Sequence, residues 1–128
     1  MESEYFSINS TLKRKLPKGS FLNMKDFYLG KKYDLSLVFC GSKKSQSLNK
    51  KWRKKDYPAN ILSFTVSDTM GEIYIDLDTA KKQHKKFERD FENYISFLFI
   101  HGMAHLNGYD HGVKMEEQEE KVRKKFKI

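Results

Sequence analysis

The chain has 128 residues, enough for one hydrophobic core, so a single domain over 1–128 is expected. Its 25 Lys and Arg against 17 Asp and Glu leave a net charge of +8, which favours a polyanionic partner, above all nucleic acid. The single cysteine, Cys40, excludes an internal disulfide, and no apolar run is long enough to span a bilayer, so a cytoplasmic protein with no membrane partner is expected. Lysine supplies 21 of the 25 basic residues, which suits contact with backbone phosphate by point charges. The N-terminal Met1-Glu2-Ser3-Glu4 is acidic with no apolar region behind it, so no secretory signal is expected.

In chain order, Tyr5-Phe6-Ser7-Ile8 reads as a short strand, followed by a turn at Asn9-Ser10. Leu12 to Gly19 is basic and broken by Pro17 and Gly19, and specifies little. Ser20 is the expected cap of a helix through Leu29, with Gly30 as its stop. Tyr33 to Cys40 alternates and then becomes continuously apolar, the pattern of a strand with one deeply buried end. Ser42 or Ser45 then caps a helix to about Lys54. Pro58 forces an extended entry into a strand over Asn60 to Val66. After Ser67–Gly71, Glu72 to Asp76 is the next strand, and the two strands are expected to pair as an antiparallel hairpin.

Asp78 or Thr79 is the expected cap of a helix to about Phe87, with His84 exposed among its lysines. Glu92 to Asn107 reads as an apolar helix, and Val113 to Phe126 as an amphipathic one that starts acidic and ends basic, as the helix dipole favours. The expected fold class is therefore α+β: one small mixed four-stranded sheet packed with about five helices.

Three of the four histidines fall between His101 and His111, spaced His-x3-His-x5-His at the end of the Glu92–Asn107 helix. Positions i and i+4 share a helix face, so His101 and His105 can point at one spot. Asn107-Gly108 ends the helix, because glycine takes the left-handed conformation without a Cβ clash, and the chain can return with His111. Three neutral imidazoles with one position left open is how catalytic zinc is held. A zinc-protease helix reads His-Glu-x-x-His, with glutamate as general base. Gly102 occupies that place here, which disfavours peptide hydrolysis. A cation whose +2 charge is not offset by its ligands favours an anionic ligand such as a phosphodiester. Arg53, flanked by Lys50, Lys51, Lys54 and Lys55, is the candidate for stabilising charge that develops on phosphate, and the four lysines are candidate RNA-binding residues. Asp110 can orient a ligand imidazole or cap the turn.

These residues resemble a known family. His101-Gly102-Met103-Ala104-His105-Leu106-Asn107-Gly108-Tyr109-Asp110-His111 is similar to the HGxLHLxGYDH signature of the YbeY family of ribosomal RNA maturation factors, with Ala104 in place of a leucine. Leu48 to Phe64 resembles that family's LNxxyRxxdxPTDVLSF block, and Gly71-Glu72-Ile73-Tyr74-Ile75 its GDIxI strand. The resemblance implies a metal-dependent, single-strand-specific endoribonuclease. Its substrate would be single-stranded rRNA of the small ribosomal subunit, at the 16S 3′ end, with a part in ribosome quality control. Carried over by position, His101, His105 and His111 hold one Zn2+ per chain and act in catalysis together with Arg53. Two departures stand out. The family's Thr-Asp is Ala59-Asn60 here, which keeps hydrogen bonding but loses a charge, and the proline that commonly follows Ser-Phe is Thr65. The competing expectation is a ribosome-assembly factor that binds RNA, with a structural zinc and little or no catalysis. The nucleophile, water or the substrate's own 2′-OH, is open at this level.

Overall fold

The computed structural model describes residues 3–128. Its elements in order are β1 (Phe6–Ser10), α1 (Phe21–Tyr28), β2 (Asp34–Cys40), α2 (Ser42–Arg53), β3 (Ile61–Ser67), β4 (Met70–Asp76), α3 (Leu77–Gln83), a 3₁₀ turn (His84–Phe87), α4 (Phe91–Leu106) and α5 (Val113–Phe126). The strands form one mixed sheet in the order β1-β2-β4-β3. β2 runs parallel to both β1 and β4, while β3 and β4 form the expected antiparallel hairpin.

Alternation along the strands decides what each face carries. Leu35, Leu37 and Phe39 of β2 and Ile73 and Ile75 of β4 are fully buried on one face. Phe6, Phe21 and Phe99 join them, with Phe21 meeting Phe39 and Phe99 edge-to-face at 5.9 and 5.2 Å. Helix α4 crosses this face over β3 and β4, flanked by α1 and α5. The opposite face presents Phe64 and Tyr74, against which α2 lays Trp52, at 6.4 Å from Phe64.

Several local expectations are corrected by tertiary contacts. Asn9 and Ser10 are not a turn: they pair with Val38 and Phe39 and extend β1. Ser20 holds the expected N-cap position of α1, its carbonyl accepting from the Met24 N–H at 2.9 Å, but its side chain makes no capping bond. Neither Ser42 nor Ser45 caps α2, whose cap position is Gly41. The Ser45 hydroxyl instead donates to the Ala59 carbonyl and accepts from the Ala59 N–H at 2.9 Å, which pins α2 to the entry of β3. The cap of α3 is Asp76, not Asp78 or Thr79: its carboxylate accepts from both of their N–H groups at 3.0 Å. The helix expected to reach Phe87 tightens into the 3₁₀ turn after Gln83. The basic stretch before α1 is tied down by Arg14, which meets Asp78 at 2.9 Å, and by the Lys18 N–H, which donates to Glu92 at 2.6 Å.

Candidate metal centre

Helix α4 is apolar nearly all round, and such a helix belongs in a core. Tyr94, Ile95, Leu98, Phe99, Ile100, Gly102, Met103, Ala104 and Leu106 are all buried. His101 and His105 remain half-buried on the side that faces a cleft. Gly102 lets the helix come this close to the sheet. A Cβ added there would lie 2.7 Å from Ile61 Cδ1, 3.0 Å from Ser63 Oγ and 3.1 Å from Ile73 Cδ1. Ser63 donates to the Gly102 carbonyl at 3.1 Å across the same contact.

The helix ends in a Schellman motif. The Gly108 N–H donates to the His105 carbonyl at 3.0 Å and the Tyr109 N–H to the Ala104 carbonyl at 3.1 Å. Gly108 takes a φ of +91°, which glycine adopts without Cβ strain. The chain doubles back and brings His111 against the helical pair. Ligand atoms of His101, His105 and His111 all lie within 4.8 Å of one another.

Each helical imidazole is oriented by a partner on its other nitrogen. His101 Nδ1 donates to Glu119 Oε2 of α5 at 3.1 Å, and His105 Nδ1 donates to the Tyr109 carbonyl at 3.0 Å. Carboxylates and carbonyls only accept, so the protons sit on Nδ1 and the Nε2 lone pairs are left for a metal. The turn that ends α4 therefore also aims one of its histidines. Burial is the main cause that holds His105 below the ordinary histidine pKa, with the charges of His101 and His111 acting in the same direction against the Tyr109 hydrogen bond and Asp110. A depressed pKa keeps the ring neutral and able to coordinate near pH 7. Neutral nitrogen donors in this number and proximity suit zinc, whose ligand nitrogens stand roughly 3.4 Å apart at ~2.0–2.1 Å bonds.

The cleft, about 510 Å³, is lined by all three histidines and by Arg53, Asn60, Ser63 and Asp110, among others. Arg53 arrives as the last residue of α2, where Lys54 turns the chain with a left-handed φ of 57°. Lys50, Lys51, Lys54 and Lys55 are exposed on and just after α2 and do not line the cleft; Lys51 lies over the Trp52 ring at 5.1 Å. Asp110 lines the cleft, but the acceptors on His101 and His105 are Glu119 and Tyr109. His84 is half-buried rather than exposed: its Nδ1 lies 2.8 Å from the Arg89 carbonyl, apart from the cluster. Asn60 donates to Gln83 Oε1 at 3.1 Å and to Tyr94 Oη at 3.4 Å, while Tyr94 donates to the same Gln83 oxygen at 3.0 Å. Asn60 thus supplies donors that an aspartate carboxylate lacks.

Sequence reasoning missed Glu119, placing it among the acidic residues that open α5. A signal was there. Met115, Glu119 and Val122 recur at helical spacing, so the carboxylate sits in the buried stripe, 5% exposed.

The family described as endoribonuclease YbeY matches residues 2–127. An endoribonuclease YbeY of Campylobacter jejuni is 36% identical over 119 residues, which cover 87% of this chain and 88% of that protein. One from Alkaliphilus metalliredigens is 36% identical over 105 residues, covering 73% and 68%. A Thermotoga maritima protein solved in solution superposes with a TM-score of 0.62 at 25% identity, over 95% of this chain and 91% of that one.

Proposed function

The chain belongs to the YbeY endoribonuclease family, and from that premise we propose that it is a zinc-dependent, single-strand-specific endoribonuclease. Its substrate in this reading is rRNA of the small ribosomal subunit, cut in the cytoplasm during maturation of the 16S 3′ end and in ribosome quality control, by one domain over 1–128. Family membership supports an RNA-cutting hydrolase. The observation that carries the metal is the convergence of three imidazoles, two of them held by Glu119 and Tyr109 so that Nε2 stays free. His101, His105 and His111 would hold one zinc, which would supply polarisation of a phosphoryl oxygen and a lowered pKa for nearby water. Arg53, which lines the same cleft, takes a phosphate oxygen pair with its planar fork and stabilises the charge that develops there. Lys50, Lys51, Lys54 and Lys55 hold the flanking strand by its phosphates.

The competing reading is an RNA-binding assembly factor with a structural zinc. Structural zinc is closed by a fourth protein ligand. Among the described residues the cluster has three, and it opens onto the cleft. One assay separates the two. A labelled single-stranded rRNA fragment is incubated with wild type and with Arg53→Glu. Metal-dependent cutting that the substitution abolishes is the expected result. Tight, salt-sensitive binding by wild type without cutting would select the assembly factor.

A further inference from the structure

A second hollow of about 430 Å³ adjoins the metal cleft and shares Asn60, His101 and His111 with it. Its lining differs in kind. Where the first carries Arg53 and Asp110, the second presents Phe87, Tyr94, Phe97 and Leu98, together with Glu116 and Glu119, whose carboxylates are both paired with Arg123. Phe87 is 51% exposed on the 3₁₀ turn, although it stacks on Tyr94 with centroids 5.1 Å apart and planes 21° from parallel. Tyr94 in turn lies 17° from parallel to Phe97, at 6.0 Å. The Asn60–Gln83–Tyr94 hydrogen bonds lock the Tyr94 ring from the cleft side. Arg89 sits 4.3 Å from the centre of the Phe97 ring, and Lys85 and Lys86 are exposed beside Phe87.

We propose that this aromatic hollow seats an unpaired nucleobase of the RNA strand whose phosphate lies at the histidine cluster, with Phe87 as its stacking platform. The proposal rests on the RNA-cutting reading above and deepens it. A nucleotide joins an anion to a flat π-face, and the two adjoining hollows offer Arg53 with the histidine cluster and then an aromatic wall. Every base has a π-face, so stacking holds RNA without reading its sequence. The rings beneath Phe87 keep the platform rigid, so little conformational freedom is lost on binding. Lys85, Lys86 and Arg89 neutralise the backbone on either side of the inserted base. A base still paired in a duplex cannot leave its stack without an unpairing cost, which gives single-strand preference a physical origin in this hollow.

The test uses the full, zinc-loaded chain and a short single-stranded oligoribonucleotide in which one base at a time is replaced by an abasic residue. Binding is read by fluorescence anisotropy before cutting, and cutting is followed in parallel. Phe87→Ala is expected to weaken binding by about tenfold or more, with unchanged zinc content. Phe87→Leu, which keeps apolar bulk but has no π-face, should lose as much, and Phe87→Trp should bind like wild type. One abasic position should cost wild type the same factor and cost Phe87→Ala nothing. Equal binding by wild type, Phe87→Ala and Phe87→Leu overturns the proposal, as does the lack of any abasic position that separates wild type from Phe87→Ala. Phe87-dependent binding without cutting would keep the base pocket and remove the endoribonuclease reading. Cutting indifferent to Phe87 would do the reverse.

Discussion

Glu119 is the side chain that holds the His101 imidazole of the candidate metal centre. It is 5% exposed, accepts from His101 Nδ1, and lies 3.5 Å from Arg123 on the next turn of α5. A carboxylate in that position fixes the imidazole ring and makes its free nitrogen a stronger donor. Glu119→Gln keeps an acceptor but removes the charge, and is expected to weaken zinc binding by roughly 10- to 100-fold, measured by competition with a chromogenic chelator. Unchanged affinity would mean that Glu119 serves only to seat α5. Cys40 is the contrasting case of a reactive group kept silent. Burial first, then the nearby Asp76 carboxylate, pushes its thiol up to about 12, and the side chain is fully buried. The native protein should therefore give no reaction with a thiol reagent at pH 8, and one equivalent once unfolded; rapid native labelling would contradict the packing of β2.

At the scale of elements, the crossing of α4 over β3 and β4 sets the floor of the cleft, and Gly102 is the residue at the crossing. Alanine is the better helix former by about 1 kcal/mol, but overpacking a filled contact costs roughly 1–3 kcal/mol. Its Cβ would meet the ends of Ile61 and Ile73 within 2.7–3.1 Å. Packing should win, so Gly102→Ala is expected to lower stability by about 1 kcal/mol in urea unfolding. Gly102→Glu, which writes the protease base into the helix, would bury an unpaired carboxyl there and should cost about 3 kcal/mol or more without creating peptidase activity. Equal or greater stability in either variant would show that the helix can lift off the sheet. The same helix shows what a sequence can disclose. His101, His105, Gly108 and His111 were legible because helical spacing and a glycine stop are local signals. Asp76 as the cap of α3, and Ser45 as a tie to Ala59, were not, because the competing choices Asp78, Thr79 and Ser42 are chemically as good and only the packed chain selects among them.

For the whole molecule, the number of strands and the β3–β4 hairpin followed from pattern and chain proximity, whereas the parallel placement of β2 between β1 and β4 joins segments too distant for local rules. That placement carries Arg53, at the end of α2, into the cleft of the histidines, where its lysine-flanked position and the family resemblance both place a candidate for phosphate charge. The segment before α1 is held to this frame by the Arg14–Asp78 pair. The Arg14 hydrogen bond is the main cause that lowers the Asp78 pKa below its ordinary value. A carboxylate whose pKa is depressed by folding adds stability that is present above its unfolded pKa and is lost as pH falls through the folded one. Arg14→Ala should therefore destabilise the protein at neutral pH, an effect lost as pH falls through the lowered Asp78 pKa, with the difference fading in high salt because both groups are well exposed. A difference that persists at acid pH would place the effect of Arg14 elsewhere. If the histidine cluster holds the metal on which RNA cutting depends, zinc content and single-stranded rRNA cleavage should fall together. Measured side by side for wild type, His101→Ala and His111→Ala, the expected outcome is about one zinc per wild-type chain, with metal and cleavage lost together in both variants; variants that keep stoichiometric zinc, or cut RNA undiminished without it, would rule out that role for the cluster.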